Sequence, residues 1–100
     1  MIQRLEKQLA KEARDLQVLE AVIDHSPIGI VRLAQETDIP EYKVRYSLRM
    51  LENDDLIDPT PQGAVPVENI DERVAAINAG LDGLSERVAA LAELDMRTEA

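Results

Sequence analysis

Apolar residues recur at three- and four-residue intervals along most of this chain, and one short stretch breaks the rhythm. From residue 2 to residue 24, Ile2, Leu5, Leu9, Leu16, Leu19 and Ile23 keep that spacing, interrupted by Glu12 beside Ala13. Such a stripe predicts one amphipathic helix. Val18 and Val22 broaden it in the second half, as expected where a helix enters a globular core. Arg4, Glu6, Lys7, Lys11, Glu12 and Arg14 then occupy an alternating, solvated face. Ser26-Pro27 ends the helix, because proline disfavours helical geometry at the residue before it, and Gly29 is placed to cap the next. Two shorter helical patterns follow, one built on Ile30, Leu33 and Ala34 and one on Val44, Leu48 and Leu51. They flank the turn Thr37-Asp38-Ile39-Pro40. The second pattern shows Lys43, Arg45, Tyr46 and Arg49 on its other faces. A helix-turn-helix has this character when its second helix is meant for a DNA groove.

The rhythm breaks between Asn53 and Pro66. Leu56-Ile57 and Ala64-Val65 flank a turn with two prolines and a glycine, which predicts a small edge-type β-hairpin, since proline is excluded from a paired central strand. It then returns without a miss. Ile70, Val74, Ile77, Leu81, Leu84, Val88 and Leu91 alternate by four and three residues, with the valines and Leu81 at a positions and the others at d. Asp95 falls at the next a position and ends the seam. Asp71, Arg73 and Arg87 flank it and add a little pairing specificity. Gly80 and Gly83 each cost this helix about 1 kcal/mol relative to alanine. A helix of this length spans about 45 Å, long for a domain of this size. The seam therefore predicts a homodimer, and an intramolecular pairing with the first helix is the alternative. In a combined arrangement, the N- and C-terminal helices of two chains form one bundle.

Charge changes this picture more by its distribution than by its total of −9. Residues 26–53 are neutral, with Arg32, Lys43, Arg45 and Arg49 against Glu36, Asp38, Glu41 and Glu52. Residues 54–69 carry Asp54, Asp55, Asp58 and Glu68 and no base, and residues 70–100 are again acidic. The least acidic surface thus coincides with the predicted recognition helix, which favours nucleic acid there. Lysine is confined to Lys7, Lys11 and Lys43, and Phe and Trp are absent. Acid-rich, lysine-poor, weakly hydrophobic surfaces suit a cytoplasm at very high salt; an ordinary acidic protein is the bland alternative. No apolar run approaches membrane-spanning length and the N-terminus has no signal-peptide character, so a cytoplasmic protein is expected.

Residues 15–66 resemble a winged helix-turn-helix domain, most closely the small haloarchaeal proteins described as predicted transcriptional regulators. The stretch that carries the likeness runs from Pro40-Glu-Tyr-Lys-Val-Arg-Tyr-Ser-Leu-Arg-Met-Leu-Glu to Asn53-Asp-Asp-Leu-Ile57. It covers about half the chain and leaves the C-terminal seam outside. The resemblance implies a mainly α fold with a small β-hairpin wing. On this reading residues 1–66 form the winged domain with an extended N-terminal helix, and residues 67–100 a long dimerisation helix. It implies a core of Ile30, Leu33, Ala34, Ile39, Val44, Leu48 and Leu51. Tyr42, Lys43, Arg45, Tyr46 and Arg49 face the DNA groove or its phosphates. Asp38 and Asp55 stand where such domains commonly place glycine; aspartate tolerates left-handed geometry better than most residues.

The candidate chemistry is recognition rather than catalysis. Arginine binds guanine bidentately and tyrosine hydroxyls bond phosphates, so Arg45 and Arg49, four apart, and Tyr42 and Tyr46, also four apart, suit helix 41–53 to the major groove. The bland alternative is a solvated helix with tyrosines at the core edge and Arg–Glu pairs through Glu41 and Glu52. Arg32 is a further candidate phosphate contact. His25 is the sole histidine and suits a helix C-terminus. Asp54, Asp55 and Asp58 match no calcium-loop spacing. Ser26, Ser47 and Ser85 belong to no nucleophile motif, and neither cysteine nor a phosphate loop is present. No enzyme activity, cofactor or metal is expected. The sequence predicts a dimeric, sequence-specific DNA-binding regulator; a winged helix used as a protein-interaction adaptor or as a subunit of a larger assembly is the alternative.

Overall fold

A computed structural model describes residues 1–94 and Met96; Asp95, expected to end the C-terminal seam, lies outside the described residues. The described chain is mainly helical with one small antiparallel hairpin, in the order α1 (Ile2–His25), α2 (Ile30–Thr37), α3 (Glu41–Asn53), β1 (Ile57–Thr60), β2 (Gly63–Pro66) and α4 (Ile70–Ala92). Contacts divide it into two compact units, Met1–Glu68 and one that begins at Asn69.

In the first unit, α1 ends at Ser26, whose extended backbone (ψ 146°) is what the following proline demands. Gly29 then caps α2, with an extended backbone and no side-chain bond. α2 stops after two turns because Asp38 enters the left-handed region at φ 56°, and Pro40 starts α3 by accepting the amides of Lys43 and Val44. α3 ends in a Schellman turn. The Leu56 amide donates to the Leu51 carbonyl and the Asp55 amide to that of Glu52, with Asp55 left-handed at φ 58°. Leu51 and Leu56, which such a turn brings together, are both buried. Both aspartates thus occupy the conformation for which glycine is usual.

Strands β1 and β2 pair from Ile57↔Pro66 to Thr60↔Gly63. Pro59 fits opposite Ala64 because the Ala64 amide and carbonyl bond outward, to Ile28, leaving nothing for a Pro59 N–H to do. Ile28 is therefore a one-residue third strand. Its backbone passes so near Gly63 (φ 127°) that a Cβ there would sit 2.5 Å from the Ile28 carbonyl carbon. Only glycine fits.

The core lies where the second half of α1 (Val18, Leu19, Val22) meets Leu33, Val44 and Leu51, closed at one end by Ile28, Ile57 and Ala64. Ile30, Ala34, Ile39 and Leu48, expected inside, are half-buried. Ser47 is fully buried on α3 and accepts a 2.9 Å hydrogen bond from Arg14 Nε of α1.

The second half of α1 enters the core as expected, with Val18 and Val22 fully buried, but most of the stripe of Ile2, Leu5, Leu9, Leu16, Leu19 and Ile23 does not. Of that series Leu19 alone is buried and Leu16 is half-buried, while Ile2, Leu5, Leu9 and Ile23 are exposed. A second three-four series on α1 runs through Lys7, Lys11, Arg14, Val18 and Ala21, in which Val18 and Ala21 are buried and Arg14 is half-buried. Its second half is core and its first half is basic. Arg4, Lys7 and Lys11 are exposed, as expected of a solvated face, while Lys7, Lys11 and Arg14 continue the line of the core residues along the helix.

In the second unit, α4 opens with Asp71 and Glu72 in its first turn, where acids favour the helix dipole. It runs unbroken through Gly80 and Gly83. No residue of it is fully buried. Ile70, Val74 and Ile77 are half-buried, and exposure of the seam rises from 45% at Leu81 to 62% at Leu91.

Candidate nucleic-acid interface

Burial of Val44, Ser47 and Leu51 fixes how α3 is rotated. At roughly 100° per residue, this turns Tyr42, Arg45, Tyr46 and Arg49 outward together, with Glu41 and Glu52 at the edge of the same arc. Tyr42 and Tyr46 are more than half exposed, so they are not core-edge side chains. The Arg49 guanidinium lies 5.9 Å from the centre of the Tyr46 ring. At this distance the guanidinium lies at the outer limit of a cation–π contact with the ring three residues before it. Among the described residues, neither Arg45 nor Arg49 forms an ion pair. The Arg–Glu pairing that would have neutralised this face is not made.

Two of the expected contact residues part from this set. Lys43 sits on the flank of α3, its ammonium 6.0 Å from the Tyr42 ring, and points to the α1 side rather than outward. Arg32 turns toward Glu36 of its own helix: its Nε lies 3.9 Å from Glu36, whose other oxygen is 3.6 Å from His25 Nε2. His25, at the end of α1 as expected, thus lies beside Glu36 of α2.

Lys43 has other company. It shares an open groove of about 450 Å³ with Lys7, Lys11 and Arg14 of α1, floored by Ile39 and Pro40 of the α2–α3 turn. Asp38 is the one acid on its walls. Sequence reasoning passed over Lys7, Lys11 and Arg14 because acids interleave with them along the chain. The signal was present in their three-four spacing, which excludes Glu6 and Glu12 from the face.

Arg14 is held on both sides. Besides its bond to Ser47, its Nη2 lies 3.7 Å from Asp15 Oδ1, an atom with no hydrogen bond of its own. The hairpin contributes no base: the space between it and α3 is lined by Pro59, Thr60, Gln62 and Leu48, with Glu52 its only charge. No helix of the described residues is long and apolar enough to cross a membrane. No protein-family model matches the chain, and no curated protein sequence is significantly similar to it.

Proposed function

We infer that this protein is a dimeric, sequence-specific DNA-binding regulator of the winged helix-turn-helix kind, with α3 as its recognition helix. The observation that carries the reading is the outward α3 face, where two arginines and two tyrosines stand exposed and unpaired on a helix braced from behind by Val44, Ser47 and Leu51. Tyr42, Arg45, Tyr46 and Arg49 contact the major groove, arginine reading base edges and tyrosine fixing the register on phosphates. The acidic hairpin supports α3 through Ile28 and Ile57 rather than gripping DNA.

The second copy docks on the apolar seams. Leu81, Leu84, Val88 and Leu91 on α4, and Ile2, Leu5 and Leu9 on α1, are left about half or more exposed. Covering one such side chain fully gains about 1.5–3 kcal/mol. α4 pairs the two chains, and the outward α1 stripe is a further apolar surface for a second copy. Dimerisation presents two α3 helices to half-sites about 34 Å apart. In a halophile's cytoplasm the Debye length is about 3 Å at molar salt, so the net acidity repels DNA little. Counterion release contributes correspondingly less, and base contacts carry more of the affinity.

The acidic hairpin, together with Glu41 and Glu52 beside the arginines, favours a second reading, a protein-interaction adaptor that docks through the α4 seam. Binding of the purified chain to genomic DNA fragments in molar KCl, with sequencing of what is retained, separates the two. A two-fold-symmetric motif, lost in Arg45→Glu/Arg49→Glu, is the expected result. Recovery no better than that of the folded double variant would reject the regulator.

A further inference from the structure

The chain has three lysines, and all three line one groove. In a protein of net charge −9, Lys7, Lys11 and Lys43 converge with Arg14 on about 450 Å³ of open space where Asp38 is the only acid. The lysines are exposed and, among the described residues, none forms an ion pair. Nothing in the fold requires this convergence, since hydrated ammonium groups stabilise no part of the core.

We propose that this groove binds the phosphodiester backbone of duplex DNA, as a second contact surface beside the α3 face. Lysine acts here as a mobile point charge suited to phosphate oxygens rather than to base edges. Lys43 places the groove at the entry end of α3, next to Tyr42, so a duplex lying against the outward face of α3 carries a strand past it. Lys7 and Lys11 extend the contact along α1, on the side away from the apolar stripe of Ile2, Leu5 and Leu9, which stays free for the second chain. An acidic peptide fits less well, because the groove offers only Ala10, Ile39 and Pro40 as apolar anchors. The inference rests on the DNA-binding reading above and gives it a salt-dependent component. Each lysine–phosphate contact adds about one to the slope of log K against log salt.

The test compares the full-length wild type with Lys7→Gln/Lys11→Gln/Lys43→Gln on one fluorescent duplex carrying the selected motif and one of scrambled sequence, from about 0.2 to about 2 M KCl. The slope is expected to fall by about 3, and the gap between the two proteins to widen several-hundredfold toward low salt. Both duplexes should weaken alike and the preferred motif should not change. The charge-preserving Lys7→Arg/Lys11→Arg/Lys43→Arg variant should restore the slope, with circular dichroism melts confirming that all three proteins fold. An unchanged slope in the glutamine variant, or an arginine variant that restores nothing, overturns the groove while Arg45→Glu/Arg49→Glu still reports on α3. Absence of duplex binding by the wild type at any salt overturns both.

Discussion

The outward face of α3 and the groove between α1 and the α2–α3 turn hold six of the eight bases of the first unit, yet they are built differently. On α3, Arg45 and Arg49 stand beside tyrosines, with Glu41 and Glu52 at the rim, and the face has no net charge. In the groove, three lysines and Arg14 face one aspartate. A neutral face of planar cations and aromatic rings discriminates by geometry and loses little when salt screens it. A cluster of ammonium groups attracts by charge alone and weakens as salt rises. On the DNA-binding proposal, one acidic chain would divide recognition between a surface suited to reading sequence and one suited to holding backbone. The total of −9 conceals both.

Separating the two surfaces from their duplication produces the largest effect. Leu84→Asp, at a d position of α4 that is 52% exposed, leaves every residue of both surfaces in place. Sedimentation should give the mass of a single chain, and affinity for a symmetric operator should drop about 10²–10⁴-fold, the usual gain from joining two binding modules. Binding to a single half-site should be unchanged. A variant that sediments as a dimer, or a monomer with full affinity for the symmetric site, would show that α4 does not pair the DNA-binding units.

Arg14 belongs to the groove wall and the core at once, and it sharpens the contrast within the groove. Lys7→Gln and Lys11→Gln should leave thermal stability unchanged, since nothing in the fold depends on them. Arg14→Leu should cost about 1–3 kcal/mol, because it strips the buried Ser47 hydroxyl of its 2.9 Å donor and leaves the buried Asp15 carboxylate without a nearby cation. It should also reduce the salt slope by about one. Arg14→Lys keeps the charge and loses the guanidinium geometry. It should therefore lower the melting temperature while preserving the slope, and denaturant melts paired with salt titrations read the two effects apart.

Much of the first unit was legible in the residues. The three helices, the turn at Thr37–Pro40 and the hairpin follow from periodicity and from the places where proline interrupts it. The left-handed Asp38 and Asp55 were legible only through the resemblance to winged helix-turn-helix domains, which commonly have glycine at both positions. The orientation of α1 was legible in its second half, where Val18 and Val22 marked the core, and not in its first, for a physical reason. Two three-four series interleave along it, and an apolar stripe does not by itself say which element packs on that face. Here the series 2–5–9 is apolar and exposed, and the series 7–11–14 is basic and continues the line of the core residues. Ser47 escaped notice because a hydroxyl in a core position depends on a partner 33 residues away in the chain. Ile28 escaped because a one-residue strand between Pro27 and Gly29 leaves no periodic trace. The α3 set was visible, except that Lys43 divides from the arginines once burial of Ser47 fixes the rotation.

The smallest effect comes from the two left-handed aspartates, which form a matched pair. Asp38 and Asp55 have nearly the same φ, 56° and 58°, so replacing either by glycine relieves a similar backbone preference. That relief is opposed by the greater freedom of glycine in the unfolded chain. Each variant should change stability by no more than about 1 kcal/mol, in the same direction. Their effects on DNA should differ, because Asp38 is the acid on the groove wall and Asp55 is not part of it. Asp38→Gly should tighten nonspecific duplex binding severalfold at low salt, whereas Asp55→Gly should leave it unchanged. Equal binding by the two variants would mean that phosphate does not approach the groove closely enough to sense its one negative charge. The α3 face would then have to account for all of the DNA affinity.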